Sequence, residues 1–408
     1  MRRVVVTGIG AVTPVGNNIE EFWNGLKNGK CGIDYITKCD TENLKVKVAA
    51  EVKDFDPLLY MDKNLVRKTD DYVKYALAST AQAMEDAKLT NYKPEEVGVY
   101  YGSGIGGISS LLKEHEKYLE GGPRKVSPFM IPMMISNMAA GNIAIKYNAQ
   151  GPCVCPVSAC ATGTNSIGEA YRAIKDRYIN VAITGGSEAG IKEINISGFT
   201  NCMALSTRND PNDTSIPFDK RRDGFVMGEG AGTLILEEYE YALARGAHIY
   251  AEVVGYGNTC DAYHITAPEP EAKGATEAIK QAIRDVEIKD DTSIYINAHG
   301  TSTPLKDKTE TKAIKNVFGE KAYSLLVSST KSMTGHMLGA AGAVEAIACI
   351  KALEENIVPP TIGYKEKDPE CDLDYVPNVK REVNVDLAIS TSLGFGGHNA
   401  VVAFAKVK

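Results

Sequence analysis

In Val157-Ser-Ala-Cys160-Ala-Thr-Gly163 an apolar run breaks into small residues and then into a helical pattern, Thr164–Lys175. A thiol where a strand turns into a helix is a candidate nucleophile, because free backbone N–H groups and the positive end of the helix favour thiolate. Taken alone, such a cysteine reads more readily as a small packed hydrophobe. A second stretch, Lys331-Ser-Met-Thr-Gly335, also follows an apolar run and leads into an Ala/Gly-rich helical stretch, Gly339-Ala-Ala-Gly-Ala-Val-Glu345. Two equivalent strand–helix turns meeting at one site would divide the chain into two similar halves. On these residues alone, a chance likeness of Gly/Ala-rich turns accounts for the pair equally well.

Outward from these turns, short β-branched runs alternate with amphipathic helical patterns, which predicts an α/β architecture. Strands are expected at Arg3–Thr7, Val97–Tyr101, Val181–Thr184, Thr233–Leu236, Ile249–Gly255, Ser293–Asn297, Leu325–Ser329, Leu387–Ser390 and Ala400–Phe404. Helices are expected at Ile19–Leu26, Asp71–Ala87, Thr164–Lys175, Ala275–Val286, Thr309–Phe318 and Ala340–Glu354. No Pro/Ser-rich linker separates the halves, so a division into 1–250 and 251–408 is one within a fold and not a hinge.

Composition narrows the class. The chain has 408 residues, 44% hydrophobic and 24% charged, enough for a substantial core. A net charge of −7 gives no support to nucleic-acid binding, which calls for a basic stripe. Nine cysteines, an odd number without a regular framework, suit a reducing compartment. The apolar run Val4-Val-Val6 is too short for a signal-peptide core, and no stretch approaches membrane-spanning length. A cytoplasmic enzyme that binds no membrane is expected. The segment Gly102-Ser-Gly-Ile105-Gly-Gly107 lacks the lysine of a phosphate-binding loop. Cys153 and Cys155 lack the second pair of thiols of a zinc site and are read as alternating residues of a strand.

Two further segments supply histidines: Asn297-Ala-His299-Gly-Thr-Ser-Thr-Pro304 and Lys331-Ser-Met-Thr-Gly-His336. Each histidine alone would pass for a core residue. With Cys160 they form the set needed for nucleophilic acyl chemistry. His264 and His398 have no such support, and packing is the expectation for His264.

These motifs, with Gly394-Phe395-Gly-Gly397 and Pro217-Phe-Asp-Lys-Arg-Arg-Asp-Gly224, resemble the β-ketoacyl-acyl-carrier-protein synthases of fatty-acid synthesis, most nearly the elongating synthase II type. The resemblance runs from Val4 to the last strand. It implies the thiolase fold, two βαβαβαββ halves in a five-layered α-β-α-β-α arrangement, and a homodimer. It implies acyl transfer to Cys160, then decarboxylative condensation with a malonyl thioester, both delivered by acyl carrier protein. By the same resemblance, the backbone N–H groups of Cys160 and Phe395 form the oxyanion hole, and His299 and His336 stabilise the malonyl-derived enolate. Lys331 with Glu345 holds the histidine network, while Thr301 and Thr303 bond the phosphopantetheine arm. Ile105, Phe129, Met130 and Phe199 line the acyl pocket, with Phe395 as its gate. No cofactor or metal is required, with a structural monovalent cation near Asn297, Glu345 and Ser390 as in some relatives.

An acidic carrier needs a basic landing patch on this acidic chain. Lys63, Arg67 and Lys68 fall on one side of a helix if that stretch is helical, and Arg124 with Lys125 forms a second pair. Three departures stand out. Pro156 interrupts the run before Cys160 and implies a bulge or a shortened ladder; Leu393 replaces a frequent aromatic; Met203 replaces a frequent arginine. The alternatives are a polyketide ketosynthase and a non-catalytic chain-length partner subunit. The latter lacks a nucleophile. A thiolase would carry a second cysteine near the C-terminus, where this chain has none after Cys371.

Overall fold

Ten strands fall into two sets of five that share one order. The computed structural model describes residues 2–407. The first set is β1 (Val4–Val12), β2 (Val97–Gly102), β3 (Cys153–Val154), β4 (Val181–Glu188) and β5 (Gly230–Glu238). The second is β6 (Ala251–Cys260), β7 (Ile294–Asn297), β8 (Leu326–Ser328), β9 (Leu387–Leu393) and β10 (His398–Ala405). Across the sheet they run β3-β2-β4-β5-β1 and β6-β10-β9-β7-β8. In each set the first strand lies beside the fifth, followed by the fourth, second and third. The ladders nearest the first strand are antiparallel and the outer two parallel. Only Val5 with Glu252 and Val6 with Ala251 pair across the join.

The helices make this a five-layered molecule. Helices α1 (Asp71–Asp86) and α2 (Met138–Tyr147) cover the outer face of the first set. Helix α4 (Lys273–Ile283) covers the second set, with α5 (Pro304–Phe318) packed on it. Between the sets lie α3 (Thr162–Lys175) and α6 (Ala341–Glu355), each touching strands of both. Helix α6 is buried nearly all round, as its apolar pattern on every face demands. Among the described residues no helix is long and apolar enough to cross a membrane.

Most boundaries follow the sequence pattern, and the exceptions have causes. Strand β1 continues past Thr7 to Val12, because Gly8 and Gly10 let α1 press its backbone against the strand: a Cβ on Gly10 would stand 2.0 Å from the Ser79 carbonyl. Helix α2 and a helix at Glu193–Asn201 were not expected, each carrying a glycine in a short, weakly amphipathic run. The helix Ile108–Gly121, also not expected, follows the glycine-rich loop directly. Pro156 lies just beyond β3, an edge strand of two residues, so the shortened ladder is the outcome and no central strand is disturbed.

Candidate active site

Cys160 occupies a 3₁₀ turn, Ala159–Ala161, directly before α3. Ala159 has φ 50°, and in the second half the turn Leu338–Ala340 before α6 starts with Leu338 at φ 47°. The register of the repeat therefore matches Cys160 with Gly339. The likeness of Cys160 to Lys331 was a misalignment, since the short helix Lys331–Thr334 is an extra element between β8 and the equivalent turn. Left-handed backbone costs a non-glycine residue roughly 1–3 kcal/mol, and such strain collects at functional sites. The two helix starts that follow these turns abut closely: a Cβ on Gly163 would stand 2.8 Å from the Ala343 nitrogen.

The carboxylate of Glu188, at the end of β4, ties the Leu338–Ala340 turn to the glycine-rich loop after β2. It accepts from Ser103 Oγ (2.9 Å) and from the backbone N–H of Gly104 (2.9 Å), Ile105 (3.1 Å) and Gly339 (2.9 Å). Sequence alone does not single out Glu188, because four donors from two distant segments meet it only in the fold.

The second half supplies the histidines. His299 follows β7, and its backbone N–H donates to Glu310 Oε1 at 2.7 Å and Thr391 Oγ1 at 3.0 Å. The backbone N–H of His336 donates to the Val226 carbonyl at 2.7 Å. The two imidazoles meet edge to face, centroids 5.3 Å apart, with Phe225 edge-on to His336 at 5.2 Å. Both are buried, yet among the described residues no nitrogen of either ring has a hydrogen-bond partner. Buried polar atoms are rarely left unpaired, and those that are point to a role in binding or catalysis. Burial first, then the charges of Lys331 and Lys306, hold both histidines well below the usual imidazole range. Each is neutral at pH 7 and carries one N–H to donate.

Lys331 is 1% exposed and ion-paired with Glu345 on α6. Burial pushes the Glu345 carboxyl up to about 7 against the opposing pull of Lys331. Glu345 Oε2, Asn297 Oδ1 and Ser390 Oγ are all buried without partners. Asn297 and Ser390 are register partners on β7 and β9, and α6 packs over both strands. An all-oxygen set of this kind fits a hard monovalent cation.

A cavity of about 30 Å³ joins Cys160, His336, Thr301, Thr303, Lys306, Phe199 and Phe395, room for a water or two. The hydroxyls of Thr301 and Thr303 lie 2.9 Å apart. Phe395 stands 6.3 Å from Phe199, and its backbone N–H is one of the influences that lower the Cys160 thiol. Ile105 packs in the same apolar cluster. Phe129 and Met130 do not: Phe129 is 41% exposed beneath the Lys68 ammonium, and Met130 begins the short helix Met130–Met134, outside the cluster that holds Cys160. Within one chain these two do not line the cavity that holds Cys160. Leu393 is buried at the end of β9 and Met203 is exposed. His264 does not pack: it is exposed, and its Nδ1 accepts from the backbone N–H of Thr266 and Ala267, capping a turn.

The thiol itself departs from expectation. Burial pushes Cys160 above the ordinary thiol value, while Lys306, Lys331 and the Phe395 N–H pull it back only in part. The closed site therefore holds a protonated thiol at neutral pH. Iodoacetamide labelling of Cys160, read by peptide mass spectrometry, is expected to accelerate about tenfold per pH unit through the ordinary thiol pKa of about 8.5. A plateau below pH 8 would contradict this.

A thiol at the start of a helix, two neutral imidazoles and a small cavity lined from both fused α/β halves define a thiolase-fold condensing enzyme. The chain belongs to the β-ketoacyl synthase family: residues 1–242 match the N-terminal domain of beta-ketoacyl synthases and residues 250–365 the C-terminal domain. It is 52% identical over 408 residues to the 3-oxoacyl-[acyl-carrier-protein] synthase 2 of Synechocystis sp., covering 99% of this chain and 98% of that one. The 3-oxoacyl-[acyl-carrier-protein] synthase 2 of Coxiella burnetii is 48% identical, with 100% and 99% covered. Among solved structures, a type II polyketide acyl-carrier protein in complex with its hexaketide-bound ketosynthase superposes at TM-score 0.93, with 35% identity and full coverage of both chains.

Proposed function

We propose that the chain condenses an acyl group, carried on Cys160, with malonyl-carrier to give 3-oxoacyl-carrier and CO₂ in fatty-acid elongation. Residues 1–250 contribute the nucleophile and 251–408 the histidines and Lys331. The observation that carries this reading is the pair of buried, neutral, unpartnered imidazoles set edge to face, of which His336 lines the cavity that holds a cysteine at a helix start.

The Cys160 sulfur attacks the acyl thioester carbon, the carbonyl oxygen gathers negative charge, and the Cys160 and Phe395 N–H groups stabilise it. The carbon–sulfur bond to the carrier breaks, and the Cys160 proton ends on the released pantetheine thiol. Malonyl thioester then enters along Thr301 and Thr303, and its carboxylate leaves as CO₂. Charge builds on the thioester oxygen, where His299 and His336 donate N–H bonds at no cost of reorganisation. The resulting enolate carbon attacks the acyl carbon, and the Cys160 sulfur departs. Neutrality suits this role, because a neutral imidazole donates without the carboxylate-trapping charge of imidazolium. Lys331 and Glu345 position the pair, and a monovalent cation held by Asn297, Glu345 and Ser390 would keep Glu345 ionised. The chain needs no further cofactor, since the carrier brings the phosphopantetheine.

The carrier reading rests on five exposed cations: Lys63 and Arg67 on the short helix Lys63–Arg67, Lys68 at its end, and Arg124 and Lys125 on a 3₁₀ turn. None of them forms an ion pair among the described residues. The cation–π contact of Lys68 with Phe129 draws the first cluster toward the segment that follows the second. The 52% identity to a fatty-acid synthase against 35% to the polyketide enzyme supports fatty-acid over polyketide substrates. We also place the enzyme in the cytoplasm as a homodimer, for which the exposed edge strand β3 and exposed Val154, Val157 and Ile131 offer a face.

Purified chain with acyl-carrier and malonyl-carrier is expected to release CO₂ and yield 3-oxoacyl-carrier two carbons longer. Carrier left unextended would overturn the proposal. Lys63→Glu with Arg67→Glu is expected to raise KM for acyl-carrier about tenfold at low salt, with less effect at high salt. Turnover of a free acyl-pantetheine thioester should stay within twofold.

A further inference from the structure

Lys306 touches none of the reacting atoms in the steps above, and its surroundings are unusual. It sits in the first turn of α5 beside Leu305, which is 62% exposed, yet Lys306 itself is only 9% exposed. A buried ammonium is costly unless its charge and donors are met. No carboxylate lies within ion-pair distance of it among the described residues. Its Nζ instead donates to the Leu393 carbonyl at 2.9 Å and stands 4.9 Å from the centre of the Phe395 ring. Both residues belong to the segment leading out of β9 that carries the gate. Lys306 also lines two small cavities: the one holding Cys160 and a second, of about 10 Å³, lined by Asp261, Leu393 and Gly394. Burial pulls its ammonium below the usual lysine range, with Cys160 the largest opposing influence.

We propose that Lys306 is a positioning residue that latches the gate. Its ammonium ties Leu393 and Phe395 to the start of α5, closing the cavity over Cys160. An acyl chain, far larger than the closed cavity, enters only when this contact is released. Charge-assisted hydrogen bonds and desolvated cation–π contacts are among the stronger non-covalent links, so the latch holds the closed gate as the main population. This inference rests on reading Cys160 as the reactive thiol and Phe395 as the gate.

The test compares two reagents at Cys160, each read by peptide mass spectrometry. Hydrogen peroxide is close to water in size and fits the closed cavity; N-phenylmaleimide does not. Loss of the Lys306 charge slows both through the thiolate fraction, whereas loss of the latch speeds only the bulky one, so the ratio of their rates isolates the gate. Lys306→Met, which keeps the stem, is expected to raise the maleimide-to-peroxide ratio about tenfold. Lys306→Gln, the second variant should the first fold poorly, is expected to raise it at least threefold. Lys306→Arg, which retains donor and cation, should stay within threefold of the parent. A ratio unchanged in both Met and Gln variants overturns the latch while leaving the condensing reading intact. If neither reagent modifies Cys160 in the parent, the nucleophile reading falls and the latch with it.

Discussion

Replacing Cys160 by Ala is expected to lower condensation by at least about 10⁴-fold while leaving malonyl-carrier decarboxylation measurable. The first half follows from the chemistry: the acyl group has no other attachment point in the cavity, and removal of a covalent nucleophile typically costs this much or more. The second follows from the layout. Decarboxylation needs only a bound malonyl thioester and donors for the enolate oxygen, and those donors are His299 and His336, which come from the other half of the molecule. An alanine at 160 removes one sulfur from a partly apolar cluster, so the cost to stability is small. Release of CO₂ from malonyl-carrier is the readout. Condensation surviving at more than about one per cent would contradict a covalent acyl-enzyme.

His299→Ala and His336→Ala should give the opposite pattern. Each is expected to slow decarboxylation about 10²- to 10³-fold, the usual cost of losing one aimed donor to a developing oxyanion. Acylation of Cys160 should fall by less than tenfold, because the acyl oxyanion is served by backbone N–H groups. Neither ring is hydrogen-bonded within the protein, so neither substitution orphans a partner, and the loss of stability is that of a cavity, about 2 kcal/mol. The sign of the pH dependence follows from the depressed imidazoles. Both stay neutral as pH falls from 8 through 6.5, so with a monovalent cation present to keep Glu345 ionised, decarboxylation by the parent is expected to be level over that window and to decline only in more acidic solution. A midpoint near 6.5 would show an ordinary histidine and contradict the neutral-donor role. Equal loss of acylation and decarboxylation in the two variants would contradict the division of labour.

Much of the site was readable in the sequence because it lies where the chain passes between elements. A thiol or histidine after an apolar run, among glycines and hydroxylated residues, marks such a passage, and Cys160 before α3, His299 after β7 and His336 after the short helix Lys331–Thr334 carry that mark. The doubled architecture was readable only in outline. Its register is set by matching backbone conformations at Ala159 and Leu338, and the amino acids do not announce a positive φ there. Lys306 was invisible for a related reason. Between an exposed leucine and Asp307 in a charged helix it reads as a solvated lysine, and only the return of the chain at Leu393 covers it. Glu188 and Glu310 likewise look like ordinary carboxylates until distant backbone N–H groups converge on them. Phe129 and Met130, placed near the pocket by the family resemblance, lie outside the cluster that holds Cys160 within one chain, with Phe129 exposed.

The central claim is that Cys160 bears the acyl chain. The direct measurement is intact-mass and peptide mass spectrometry of the enzyme after incubation with acyl-carrier and no malonyl donor. One acyl group per chain, on the peptide containing Cys160 and discharged when malonyl-carrier is added, is the predicted result. An acyl group found on any of the other eight cysteines, or no acyl-enzyme while 3-oxoacyl product still forms, would contradict it.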